Sequence, residues 1–202
     1  MSLTLYFVPQ TRATRPRWVL EELGVPYELV QLDPAKGETK SDAYRAMHPL
    51  GHVPALKDGE QTLVESAAIC MHLADRFPEK GLAPAPESAE RGRYYQWVLF
   101  AMTTVEPPLV TIFESRIGRR AQPPEVLEAA QARLKEVAAV VEAALGDNPY
   151  ILGQQFSAAD VVLGATLAWG LRMKVLEGFP RIAAYAARLM ERPAAKVAFG
   201  AK

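Results

Sequence analysis

Apolar and polar residues alternate from the third position of this chain. Leu3, Leu5 and Phe7 are separated by Thr4 and Tyr6, the period-two pattern of a half-buried strand. A loop follows over residues 9–12. Thr14 is placed to cap a helix with Pro16 in its first turn. Trp18, Val19, Leu20 and Leu23 give that helix an apolar side, and Gly24 ends it. Residues 27–32 read as a second strand, which completes a βαβ unit. Residues 33–47 are polar and predict a loop with a short irregular helix. Residues 54–57 and 62–64 predict a hairpin across Asp58-Gly59. A helix over 66–77 would carry Ile69, Leu73 and Phe77 on one face.

The order β-α-β-α-β-β-α is that of a thioredoxin-like domain, predicted to span residues 1–78. Pro78, Gly81, Pro84 and Pro86 then mark a linker over 79–87. Beyond it, over 88–202, every pattern is helical. A long stretch from 88 to 117 meets Pro107-Pro108, which should kink or break it. Val126, Ala130, Leu134, Val137, Val141 and Leu145 trace one helix face and predict core. Residues 157–173 are small and apolar enough for a helix buried on all sides. Ser157 and Asp160 fit a capping box at its start. A final helix over 180–191 closes at Arg192-Pro193. The fold class is thus an α/β domain followed by an all-α domain.

Charge and cysteine content narrow the function. The 202 residues hold 23 Lys+Arg and 23 Asp+Glu, a net charge of zero, so no electrostatic nucleic-acid binder is indicated. Arg12, Arg15 and Arg17 cluster, and read as a solvated helix start. A single cysteine, Cys70, leaves no internal disulfide framework; in an apolar helix it reads as a small buried hydrophobe. No secretory pattern and no membrane-length apolar run is seen, so a cytoplasmic protein without a membrane partner is expected.

The segment Gly51-His52-Val53-Pro54-Ala55-Leu56, followed by Asp58-Gly59 and Glu65-Ser66, carries the chemistry. Pro54 has no N–H for a ladder. With a cis bond before it, Val53 would turn its own N–H and C=O outward, offering an edge to an extended peptide. Glu65 and Ser66 stand where a helix begins, and a helix start favours a bound carboxylate. Glu65 adds an acceptor for an ammonium group.

These residues resemble the glutathione-binding half of the cytosolic glutathione transferases, of serine- or cysteine-type bacterial kind. Leu73-Ala74-Asp75-Arg76-Phe77-Pro78, Leu152-Gly153 and Phe156-Ser157-Ala158-Ala159-Asp160 extend the resemblance in order, so that it runs from about residue 3 to about residue 195. It implies a detoxifying transferase that turns the glutathione thiol into a thiolate for attack on a small hydrophobic electrophile or a peroxide. Lowering a thiol pKa of about 8.5 by two units takes roughly 2.7 kcal/mol. One hydroxyl donor and one helix start can supply that, so no metal or organic cofactor is expected. The resemblance gives three candidates for that work. Thr11 lies near the serine-type position, for which Gln10 competes; Arg12 falls at the cysteine-type position; Tyr6 answers to the tyrosine type. It gives Val53, Pro54, His52, Glu65 and Ser66 the tripeptide, with Gln10, Lys40 and His48 as helpers. It also implies a two-fold homodimer, in which Glu106 would reach a partner's γ-glutamyl amine, and an acceptor pocket along Tyr94, Trp97, Phe100, Met102 and Phe113. Arg116, Arg119 and Arg120 near its end offer charge to an anionic acceptor, or are a solvated helix end. The alternative is a non-catalytic binding or docking protein of the same fold. A dithiol oxidoreductase is excluded, because no Cys-x-x-Cys lies near residues 9–14.

Overall fold

The computed structural model describes residues 2–200, which divide into two units. One holds the described residues up to Leu82 together with those from Glu191 onward; the other is Ala83–Met190.

The first unit is built on a four-stranded sheet of order β2-β1-β3-β4. Strand β1 (Leu3–Phe7) runs parallel to β2 (Glu28–Gln31) and antiparallel to β3 (Ala55–Asp58), which pairs antiparallel with β4 (Gln61–Val64). Leu3, Leu5 and Phe7 are buried as their alternation predicts. Between β1 and β2 runs α1 (Thr14–Leu23), with Trp18, Val19 and Leu20 fully buried. Helix α3 (Ser66–Arg76) follows β4 and packs against α1. Between β2 and β3 lie two 3₁₀ turns and the four-residue α2 (Asp42–Arg45), the irregular stretch expected there. Asp58, at the end of β3, takes an ion pair from Arg76 and a 2.8 Å contact from His72, both on α3. That clasp ties the hairpin to the later turns of α3.

Several details differ from the sequence pattern. Thr14 is the first helical residue rather than a cap, and the cap position is held by Ala13. The hairpin turn lies at Gly59-Glu60, because Asp58 still pairs with Gln61. Arg15 and Arg17 are buried, not solvated. Arg17 lies over the Phe7 ring at 5.0 Å and donates to the Ala198 carbonyl. The chain ends in a further helix, α9 (Pro193–Phe199), which packs on α1 in the first unit instead of closing the helical domain. There Phe199 meets the Trp18 ring edge-on at 5.7 Å, and Arg192 makes a two-pronged ion pair with Glu22 at 2.6 and 2.7 Å.

The second unit contains α4 (Glu90–Phe100), α5 (Glu106–Arg116), α6 (Pro124–Leu145), α7 (Ala158–Arg172) and α8 (Pro180–Met190). Pro107-Pro108 does not break the long stretch. The chain passes from α4 to α5 through a π-helical turn, Ala101–Val105. A wider turn accommodates two residues that lack N–H groups. On α6, Leu134, Val137, Val141 and Leu145 are buried, but Val126 is 38% exposed and Ala130 half-buried. The predicted face is real, and its first two turns extend beyond the packing. Helix α7 is buried on most sides, as predicted. A Cβ at Gly164 would meet the tip of the Leu189 side chain of α8, which would have to shift to admit it, so α7 and α8 approach closely there. At the start of α7, Asp160 is wholly buried and accepts from Ile151 N–H, Ser157 N–H and Tyr185 O–H at 2.8 Å, and from the Ser157 hydroxyl at 3.0 Å. Burial pushes its carboxyl pKa up while these donors pull it down.

Candidate functional site in the first unit

The register of the sheet gathers the expected residues. Tyr6 pairs with Ala55, and Ala55 pairs with Val64. The turn after β1, the loop before β3 and the junction after β4 therefore lie together at one end of the strands. They carry Gln10, Thr11 and Arg12; His52, Val53 and Pro54; and Glu65 and Ser66 respectively.

The Val53–Pro54 peptide bond is cis. Pro54 is buried and Val53 half-buried. Among the described residues no hydrogen bond is made to the main chain of Val53. The loop leading there is held from below. Gly51 has a φ of 60°, and a Cβ on it would run into the Thr39 carbonyl. Lys40 donates to the carbonyls of Leu50 and Gly51 at 3.0 and 3.1 Å. Tyr44 donates to the His52 carbonyl at 2.6 Å. Lys40 thus braces the loop, a role its sequence position did not announce.

Aromatic rings line the same loop. Tyr6 lies 5.7 Å from Tyr44, Tyr44 stacks on His48 at 6.4 Å, and His48 lies 5.7 Å from His52. Tyr6 is engaged in this packing. His48 is buried, and its Nδ1 has no hydrogen-bond partner among the described residues. Burial lowers its pKa from the ordinary 6.5; His52 adds to this, and Glu65 opposes it. His52 itself is exposed.

At the β4–α3 junction Glu65 is exposed, with φ 70° and ψ 109°. This is a costly conformation for a residue with a Cβ, and such strain gathers at binding sites. No side chain caps α3. Ser66 is buried, and its Oγ accepts from Arg15 Nη1 at 3.2 Å. The sequence reading missed Arg15. The available signal was its place three and four residues before Trp18 and Val19, on the apolar stripe of α1. Cys70, one turn further along α3, is fully buried, and burial pushes its thiol up to about 12, against the pull of Arg15. It is the small buried hydrophobe its surroundings predicted.

At the turn after β1, Gln10 adopts φ 58° and is exposed. The Thr11 hydroxyl donates to the Val8 carbonyl at 2.7 Å and accepts from Ala13 N–H at 3.2 Å. The one proton that could meet a thiolate is therefore engaged locally. Arg12 is exposed beside it. In the second unit, Tyr94, Trp97 and Glu106 are buried, Phe100, Met102 and Phe113 half-buried, and Arg116, Arg119 and Arg120 exposed.

Residues 1–75 match the glutathione S-transferase N-terminal domain and residues 100–193 the C-terminal domain of the same enzymes. The chain belongs to the glutathione S-transferase family. Glutathione S-transferase GstA of Escherichia coli O157:H7 is 32% identical over 203 residues, covering 99% of this chain and 98% of that one. The bacterial transferase BphK, solved as a ternary complex, superposes with a TM-score of 0.86 at 32% identity, with 97% of each chain covered. A sphingomonad glutathione S-transferase solved with glutathione gives 0.85 at 30% identity, over 97% of this chain and 96% of that one. The resemblance stated from Val53-Pro54 and Glu65-Ser66 is thereby established for the whole chain. Among the described residues of this transferase no helix is long and apolar enough to cross a membrane.

Proposed function

We propose that this glutathione transferase binds its co-substrate along the exposed main chain of Val53, just before β3, and activates the thiol at the turn between β1 and α1. The unoccupied main chain of Val53 beside the uncapped start of α3 carries this reading. An extended tripeptide pairs its cysteinyl residue with Val53, as an added strand would. Its γ-glutamyl carboxylate meets the N–H groups of α3 and the Ser66 hydroxyl. Its ammonium meets Glu65. Pro54 shapes the ledge, while His52 and Gln10 flank it. His48 and Lys40 support the loop beneath.

The thiol then lies near Thr11 and Arg12. Ala13 N–H already polarises the Thr11 oxygen. Rotation about one bond moves its proton from the neutral Val8 carbonyl to a thiolate, and a charged acceptor is the stronger partner. The Arg12 guanidinium and the positive end of α1 stabilise the same anion. The thiolate sulfur forms a bond to the carbon of a small hydrophobic electrophile, whose leaving group departs with the electron pair; with a peroxide, the sulfur bonds to the hydroxyl oxygen, the O–O bond breaks, the other oxygen leaves as an alkoxide that takes up a proton from water, and the sulfur is oxidised to a sulfenic acid at the expense of the peroxide. Family membership supports a cytoplasmic, detoxifying homodimer.

Calorimetric titration with glutathione tests the binding half. Saturation below millimolar concentration is expected; its absence would favour a docking protein of the same fold. The ultraviolet band of the bound thiolate tests the catalytic half. Thr11→Ala is expected to raise the bound thiol's pKa by a unit or more, about 1.4 kcal/mol, and Thr11→Ser to leave it near the parent value. A shift on Arg12→Ala alone would move the role to Arg12.

A further inference from the structure

Helices α5 and α7 end alike. Each carries an aromatic residue three positions before a final arginine: Phe113 and Arg116 on α5, Trp169 and Arg172 on α7. Residues three apart share a helix face. The two rings meet edge-on at 5.2 Å, and both are half-buried. One turn further on, Arg116 Nη1 donates to the Met173 carbonyl at 2.5 Å, which brings the arginine of α5 to the end of α7. The chain then folds back after each helix. Arg119 N–H and Arg120 N–H both donate to the Glu114 carbonyl, and Lys174 N–H donates to that of Leu171. Three more cations are thereby kept near the same two helix ends.

Among the described residues none of these five cations makes an ion pair, whereas Arg93, Arg133 and Arg181 of the same unit each do. A helix C-terminus is equivalent to about half a negative charge, so the two ends together offset roughly one cation. Glu114 and Glu177 are the acidic residues of segments 113–120 and 169–178, and the balance stays positive. We infer that the ends of α5 and α7 bind a small aromatic carboxylate, its ring against Phe113 and Trp169 and its acid group held by Arg116 and Arg172. A flat ring covers the area that a half-buried aromatic pair leaves in water. A planar carboxylate matches the fork of a guanidinium, of whose five donors Arg116 uses one on Met173. An inorganic anion would meet the charges and leave the rings wet; an uncharged arene would do the reverse. This binding involves the second unit alone and is independent of where glutathione binds.

The test uses the full-length protein without glutathione, and three probes: 4-nitrobenzoate, 4-nitrobenzamide and acetate. The nitro compounds carry no leaving group, and they quench tryptophan fluorescence on contact. Of the three tryptophans, Trp18 is fully buried and Trp97 5% exposed, so quenching reports on Trp169. Calorimetry gives the affinities. The parent protein is expected to bind 4-nitrobenzoate about tenfold more tightly than the amide, as a charge-assisted hydrogen bond allows, and to show no saturation with acetate. Arg116→Gln should remove most of that preference and leave the amide unchanged. Arg172→Gln, which breaks no bond of the folded protein, should remove several-fold and serves if the Arg116 variant does not fold. Trp169→Leu should weaken both aromatic probes alike and abolish the quenching. Equal affinity for benzoate and benzamide would overturn the inference. So would acetate binding as tight as that of 4-nitrobenzoate, which would leave a plain basic patch, or quenching that survives Trp169→Leu, which would place the ligand elsewhere. A failed glutathione titration would overturn the co-substrate reading and leave these outcomes untouched.

Discussion

At the start of α7 the protein supplies its own anion, and at the start of α3 it does not. Asp160 accepts four hydrogen bonds within its capping loop and from Tyr185. Helix α3 begins at a strained Glu65 with no side-chain cap, and a buried arginine waits behind its first hydroxyl. Both helix starts present the same N–H groups and the same positive end of a dipole. When the chain fills that position with its own carboxylate, the helix start is structural. When it leaves the position open and shapes the surroundings for an anion, the helix start becomes a receptor.

The contrast is broken most severely at α7. Asp160→Ala strands four buried donors and is expected to cost about 3 kcal/mol of stability, a fall in Tm of roughly 10 °C. Scanning calorimetry measures it, and a change under about 1 kcal/mol would show that the capping box is ornamental. Glu65→Gly tests the opposite kind of helix start. Releasing a positive φ should stabilise the fold by about 1 kcal/mol, while glutathione affinity drops because the ammonium loses its acceptor. A variant that gains stability and keeps its affinity would remove Glu65 from the site. Ala68→Asp converts one helix start toward the other, since the exposed Ala68 holds the third helical position, as Asp160 does on α7. It should add about 0.5 kcal/mol through the dipole and raise KM for glutathione several-fold by occupying and repelling.

The smallest effect concerns pH. Burial of His48, with His52 and Lys40 nearby and Glu65 opposing, lowers its pKa below 6.5. The unfolded chain then binds the proton more readily than the folded one, so the stability this neutral ring contributes is present above pH 6.5 and is lost as pH falls through the lowered value. His48→Asn should flatten the decline of Tm on acidification from pH 7 to pH 5. An unchanged slope would assign that decline to other groups.

Much of this was legible because it is local. The strand alternation at Leu3 to Phe7, the Val53-Pro54 junction, the Glu65-Ser66 pair and the Ser157 to Asp160 box are each set by neighbours a few residues apart. The misreadings concern partners distant in sequence. Arg15 and Arg17 resemble a solvated charge cluster until Ser66 and Ala198 are brought to them. Val126 and Ala130 follow the right periodicity, but periodicity does not say where the opposing surface stops. The engagement of the Thr11 proton with Val8 depends on the path of one turn, which residue types alone leave open.

The return of α9 to α1 has a consequence for how the molecule is made. Trp18 and Glu22 are completed by Phe199 and Arg192, which leave the ribosome only after the whole of Ala83–Met190 has been synthesised. The earliest unit to emerge is therefore finished late, and a nascent chain halted before Pro193 would present an uncovered tryptophan to chaperones.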